Sequence, residues 1–332
     1  MINAKKYALI DLHLHLDGSM SLECARSLAK KQGIELPEDD AELLSRLRVS
    51  DDCRDLNEYL ERFALPLSLL QTAEAISESV KTLCDELAES GLIYAEIRFA
   101  PQLHCDKGLS QEEVVAAAID GLMHSSFAAS LILCCMRGKD NHEENLQTVS
   151  LVRKYLGRGV CAVDLAGAEA LFPNEGFCDV IEYARSLSLP ITLHAGEALG
   201  AQSVRSALML GAQRIGHGVR SIEEPALVEE LAQRKIPLEL CPTSNLNTCI
   251  FEKLEDYPIR TLLDAGVIIT LNTDNISVSA TSLANEYQKI ADTFSLSDDE
   301  LSTLAINSAY ASFLGDRAKA ELIAGVKALI EI

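Results

Sequence analysis

Short runs rich in Val, Ile, Leu and Ala recur along the 332-residue chain, separated by longer segments in which apolar residues return every three to four positions. Eight runs stand out: Tyr7–Leu12, Leu92–Ala100, Leu131–Met136, Val160–Leu165, Pro190–Leu193, Arg214–Ile215, Pro237–Leu240 and Val267–Leu271, the sixth being the shortest. Near-continuous apolar strands that alternate with helices are covered on both faces and therefore run parallel. Eight of them predict a closed (β/α)8 TIM barrel, an α/β fold in which chemistry gathers at the C-terminal ends of the strands.

Almost eighty residues separate the first two strands, more than one crossover helix needs. A helical insertion over about 20–90 is expected. Leu56, Tyr59, Leu60 and Phe63 follow i, i+3, i+4, i+7, and Ile76, Val80, Leu83 and Leu87 repeat the pattern up to Gly91. Because the insertion starts directly after the first strand, it should sit over the barrel mouth and contribute to a pocket there. Near the C-terminus Ser297 and Glu300 read as a capping box, and Ala318–Ile330 as an amphipathic helix packed on the barrel exterior. With no linker, low-complexity tract or repeat, residues 1–332 are expected to form a single domain.

Four polar motifs fall where apolar strands run out: His13-Leu14-His15, His194-Ala195-Gly196-Glu197, Gly216-His217-Gly218 and Thr273-Asp274. In a strand, side chains at i and i+2 share a face, so His13 and His15 project together, which suggests a metal. A third imidazole and a carboxylate arriving from other strand ends would complete its ligands. A random scatter of His and Asp would rarely reach four strand ends of one barrel.

Composition narrows the function. The chain carries 29 basic and 50 acidic residues, a formal net charge of −21, which would repel a nucleic-acid backbone. Zinc deaminases acting on bases in RNA or DNA carry H-x-E with P-C-x-x-C, and neither half is present. Apolar runs stay short of the roughly 18 residues of a membrane span, so no membrane partner is expected. The short approach to the first strand leaves little room for a secretory or transit peptide, and the ten cysteines, none in a C-x-x-C pair, are expected to be reduced thiols in a cytoplasmic protein.

The order and spacing of these motifs closely resemble the adenosine deaminase family of metal-dependent hydrolases. The resemblance spans nearly the whole chain and includes Asp11-Leu-His-Leu-His-Leu-Asp-Gly-Ser19, Tyr94-Ala-Glu-Ile-Arg-Phe-Ala-Pro101, Asp164-Leu-Ala-Gly-Ala-Glu169, Arg214-Ile-Gly-His-Gly218, Cys241-Pro-Thr-Ser-Asn245 and Leu271-Asn-Thr-Asp274. It implies a (β/α)8 barrel, one zinc ion per chain, and hydrolytic removal of the 6-amino group from a small-molecule purine nucleoside, adenosine or 2′-deoxyadenosine. His13, His15, His194 and Asp274 would be the metal ligands, a set that suits zinc, whose bound water can have a pKa near ~7. By the same resemblance Glu197 is the acid that donates to nitrogen 1, and His217 the base and electrostatic orienter. His15, Asp17, Gly167 and Asn275 would line the substrate, with Asp17 at the ribose 5′-hydroxyl, Gly167 at nitrogen 3 and Asn275 at nitrogen 7.

The chain departs from the family pattern at Asn275, where better-known members have a second Asp followed by Pro. An amide donates at every pH, whereas a carboxyl must be protonated to do so. Many related barrel hydrolases hold two metals bridged by a carbamylated Lys on strand four. Here Cys161-Ala-Val-Asp-Leu-Ala-Gly167 has none, which argues for one metal. Two alternatives stay open: a deaminase of another 6-aminopurine, such as adenine or a 5′-modified adenosine, and a non-catalytic binding protein on the same fold. Away from the site, His124 and His142 read as surface or packing residues and His104 is assigned no role. Asp164 reads as a strand-end hydrogen-bonder and Cys241 as packing.

Overall fold

A computed structural model of the chain describes residues 7–50 and 52–330. Eight parallel strands form its centre: β1 (Ile10–His15), β2 (Tyr94–Phe99), β3 (Ala129–Met136), β4 (Val160–Ala166), β5 (Thr192–Ala195), β6 (Arg214–His217), β7 (Leu238–Leu240) and β8 (Ile269–Leu271). They hydrogen-bond in sequence order as two four-stranded halves. The amide of Val163 donates to Pro190 O at 3.0 Å and joins the halves at one seam. His15 N to Asp274 O and Asp274 N to His13 O, both 2.8 Å, join them at the other. The barrel is closed, as the eight apolar runs predicted, and its sheet has no free edge.

Several strands extend further toward the mouth than their apolar stretches suggested. β1 ends at His15 rather than Leu12, β5 at Ala195 rather than Leu193, and β6 at His217 rather than Ile215. Three of the polar motifs thus begin on the last rungs of β1, β5 and β6, and His13, His194 and His217 each meet a buried polar partner there. Three of the site residues pay for this placement with a left-handed backbone: His217 at φ 59°, Asp274 at φ 61° and Gly167 at φ 107°.

The segment between β1 and β2 reaches over the mouth with residues 56–67, and its last helix packs beside the helix that follows β2. Helices Leu22–Gln32, Asp40–Leu47, Leu56–Leu60, Ala64–Leu69 and Ala73–Glu89 compose this insertion. Thr72 caps the last of these by accepting from Ala75 N, and Ile76, Val80, Leu83 and Leu87 are buried on one face. The stripe Leu56, Tyr59, Leu60, Phe63 keeps its common face but not one continuous helix, because a 3-10 turn at Glu61–Phe63 intervenes. Pro66 just beyond it lacks the amide that would extend the ladder back to Arg62, so the helix restarts. At the other end of the chain the capping box Ser297/Glu300 is formed, and helix Asp316–Ile330 covers the bottom of β1 and β2 through Val326. All ten cysteines are free thiols. Among the described residues no helix is long and apolar enough to cross a membrane.

Candidate metal and catalytic site

The pleat of β1 sends Asp11, His13 and His15 to the barrel interior and Leu12 and Leu14 outward, and this alternation is what aims two imidazoles at one point. His194 arrives from β5 and Asp274 from the residue that closes the barrel beside β1. Their four ligating atoms lie within 4.8 Å of one another. His15 Nε2 is 3.3 Å from His194 Nε2, and Asp274 Oδ1 is 3.4 Å from both His13 Nε2 and His15 Nε2. A tetrahedron built on bonds of about 2.0–2.1 Å has edges of about 3.3–3.4 Å. Three of the ligand–ligand distances thus match the spacing around one ion, and the buried Nε2 of His13, which has no hydrogen-bond partner, belongs to the same group.

Three of the four are held from behind. His13 Nδ1 meets Glu239 Oε2 at 2.7 Å, and His194 Nδ1 meets Asp164 Oδ2 at 2.9 Å, so both rings are directed to present Nε2 to the centre. Ser244 Oγ donates to Asp274 Oδ2 at 2.5 Å. The two orienting carboxylates are themselves paired: Arg98 spans Asp164 at 2.9 Å and Glu239 at 2.8 Å, while Arg214 binds Glu239 at 2.5 Å and Glu96 at 2.7 Å. Burial by itself would raise Glu239, but the Arg98 and Arg214 charges hold it well below the usual carboxylate range. Burial pushes His15 well down and His194 down, leaving lone pairs for a metal. At His13 burial and Arg98 also push down, but Asp274 and Glu239 prevail and the ring is raised. The carboxylates of this site call for a cation.

Glu197 and His217 stand beside the cluster, with Glu197 Oε2 3.6 Å from His217 Nε2. Burial first, and then the charges of Asp274 and Glu169, raise Glu197 well above its ordinary range against the opposing pull of Arg137. These surroundings favour its neutral form over the carboxylate. His217 is pushed well down, by burial above all. Its Nδ1 lies 3.1 Å from Asn245 Nδ2, while Asn245 Oδ1 accepts from Tyr257 Oη at 3.1 Å. An amide donating into Nδ1 puts the proton of the neutral ring on Nε2.

One cavity joins these groups to the remaining expected residues. His15, Asp17, Gly167, His194, Glu197, His217, Asp274 and Asn275 all line it, roofed by Leu56, Tyr59, Leu60, Phe63 and Leu67 from the insertion. Asp17 is raised to about 6, by burial above all. Asn275 packs so closely on Gly18 that a Cβ there would come within 1.8 Å of its Oδ1. A sequence profile of the family described as adenosine deaminase matches residues 8–329, the whole barrel with its insertion.

The chain belongs to the adenosine deaminase family.

With that family it is a hydrolytic deaminase. It is 48% identical over 336 residues to an adenosine deaminase of Haemophilus ducreyi, covering 98% of both chains. It is 40% identical to an adenosine deaminase of Enterococcus faecalis, covering 92% of this chain and 91% of that one. Among solved structures it is similar to an adenine deaminase of Arthrobacter aurescens, with a TM-score of 0.87, 27% identity and coverage of 98% and 99%.

Every site residue expected from the sequence lies in this one cluster or lines its cavity; His13, fully buried, belongs to the cluster but not to the lining. His104 does not line the mouth: it is fully buried, with Nδ1 2.9 Å from Leu70 O. Asp164 does more than end a strand, because it orients His194. The sequence reading passed over Glu239, Arg98, Arg214, Asn245 and Ser244, the residues that hold the adenosine deaminase motifs in place. A signal for some of them was present. Glu96 and Arg98 alternate on one face of an apolar strand and Glu239 sits inside another, and an ion in such a place demands a buried partner.

Proposed function

We propose that the protein removes the 6-amino group of adenosine and 2′-deoxyadenosine hydrolytically, giving inosine, 2′-deoxyinosine and ammonia, with one zinc ion held by His13, His15, His194 and Asp274. The observation that carries this reading is the gathering of His13, His15, His194 and Asp274 within 4.8 Å of one another at the cavity that Glu197 also lines, three residues beyond one of them. When bound, zinc supplies a Lewis acid that brings the pKa of a coordinated water toward neutrality. The other tasks fall to the chain. Glu197 donates its proton to nitrogen 1 as carbon 6 becomes tetrahedral. His217, with its proton on Nε2, orients the attacking oxygen, and Asp274 is the anionic acceptor facing it. This favours the orienting role of His217 over that of a base.

Gly167, without a side chain and at φ 107°, lets its backbone N–H approach nitrogen 3. Asn275 donates to nitrogen 7. Asp17 receives the ribose 5′-hydroxyl, which favours a nucleoside over free adenine, and a 5′-phosphate would meet this carboxylate in an acidic protein. Free thiols throughout fit a cytoplasmic enzyme. Ammonia release from adenosine, 2′-deoxyadenosine, adenine, AMP and 5′-methylthioadenosine tests the reading. The two nucleosides with a free 5′-hydroxyl should have the highest kcat/KM, and a preference for adenine or AMP would reject the assignment of Asp17.

A further inference from the structure

Glu169, in the loop after β4, is 1% exposed and has no place in the chemistry just described. Its carboxylate meets the turn that leaves β5. Oε1 accepts from Gly196 N at 2.7 Å and Ser203 Oγ at 2.5 Å. Oε2 accepts from Glu197 N at 3.1 Å, Ala198 N at 2.6 Å and Leu199 N at 2.9 Å. Four consecutive amides therefore converge on one side chain. Backbone curved in this way forms an anion-binding concavity, and here the anion belongs to the chain itself. The curvature depends on Gly196, which has φ 70° and where a Cβ would come within 2.4 Å of Val204 Cγ2.

The same turn is anchored from its other end. Arg137 Nη2 donates to His194 O and to Asn174 Oδ1, both at 2.7 Å, and Asn174 Nδ2 donates to Ser203 O at 3.0 Å. Arg137 thus fixes the ligand end of the turn and Glu169 the acid end. We propose that Glu169 is a positioning residue for the deamination: by gathering the amides of residues 196–199 it sets where the Glu197 carboxyl stands relative to the metal cluster. Glu169 does not line the cavity and acts only through Glu197. Its charge also acts in the same direction as burial and the Asp274 charge, toward the neutral form of Glu197. The proposal rests on the reading of Glu197 as proton donor.

The test is a double-mutant cycle on the zinc-loaded enzyme, with Glu169→Gln, Glu197→Gln and the two combined, measuring kcat and KM for adenosine, metal content, and Ki for 1-deazaadenosine. That inhibitor carries carbon in place of nitrogen 1 and so makes no use of Glu197. The Glu169→Gln amide must turn an NH2 against backbone N–H donors, which displaces the turn. A displacement of about 1 Å can lower turnover by about 10²-fold, so the single variant should lose about 10- to 100-fold in kcat. Metal content should stay at one per chain and Ki should change by less than about 3-fold, the scale of a residue that does not touch the ligand. In the Glu197→Gln background, adding Glu169→Gln should lower kcat by less than about 3-fold, because the group it positions is already gone.

Losses that multiply in the double variant, loss of metal from the single variant, or a single-variant loss under about 2-fold would each overturn the proposal. Should Glu169→Gln not fold, Glu169→Asp, which keeps the charge but withdraws it by one methylene, takes its place in the same cycle with the same expectation. If neither variant folds, Glu169 belongs to the scaffold and the proposal fails. Near-normal turnover of Glu197→Gln alone would mark a different failure, that of the reading of Glu197, and the positioning role would fall with it.

Discussion

Asn275 is where this chain departs from the pattern its sequence otherwise resembles, and its Oδ1 is buried without a hydrogen-bond partner. It is 2% exposed, lines the cavity and packs on Gly18 so tightly that only glycine fits there. If its amide donates to nitrogen 7, then 7-deazaadenosine leaves a buried donor unpaired, at about 1–3 kcal/mol, or roughly a five- to 150-fold loss in kcat/KM. The comparison repeated in Asn275→Ala separates this from ring electronics: the penalty should shrink, and an unchanged ratio of the two substrates would remove Asn275 from nitrogen 7. Glu197 gives a second expectation at this scale. Glu197→Gln should keep its metal and bind nucleoside yet lose at least about 10²-fold in turnover, since a proton donor contributes only as the ring gains electron density. Residue types that face the substrate were legible in the sequence because each sits within a few positions of a strand end. The partners that aim them were not. Glu239 reaches His13 across 226 positions and Asn245 reaches His217 across 28, and no local pattern encodes either contact.

Elements were legible in kind and less so in extent. Apolar periodicity located all eight strands, but at β1, β5 and β6 it stopped short of the histidines over which the hydrogen-bonded ladder continues. The same limit applied to the insertion, whose apolar stripe was visible while the break ahead of Pro66 was not. His104 shows how the insertion is tied to the barrel. It follows β2, and its Nδ1 lies 2.9 Å from Leu70 O at the end of helix Ala64–Leu69. Burial lowers its pKa from 6.5 to about 4 in the folded protein, so the unfolded chain takes up a proton first as the pH falls. Stability present above pH 6.5 should decline from there toward pH 4, by up to about 3 kcal/mol from this residue. Denaturant titrations at pH 7 and 4.5 should show a smaller difference in His104→Gln than in the wild type, and equal differences would mean that His104 does not titrate with unfolding.

Across the whole molecule, the closed barrel lets carboxylates from β2, β4 and β7 neutralise two arginines in its core and orient two imidazoles at its mouth. Glu239 is the centre of that arrangement, since it also accepts from Thr192 Oγ1 at 2.8 Å. Removing one partner of a buried pair typically costs about 3–5 kcal/mol. Glu239→Gln should therefore lower the melting temperature, and by releasing His13 it should weaken metal binding about 10- to 100-fold. Melting at the wild-type temperature with unchanged affinity would show that the core charges and the metal site are independent. The proposed deamination depends on a single ion held by three histidines and one aspartate. Titrating metal-free protein with Zn2+ while following ammonia release from adenosine tests it directly. Activity should rise linearly and saturate at one equivalent per chain, whereas full activity without metal, or a requirement for two equivalents, would contradict the account.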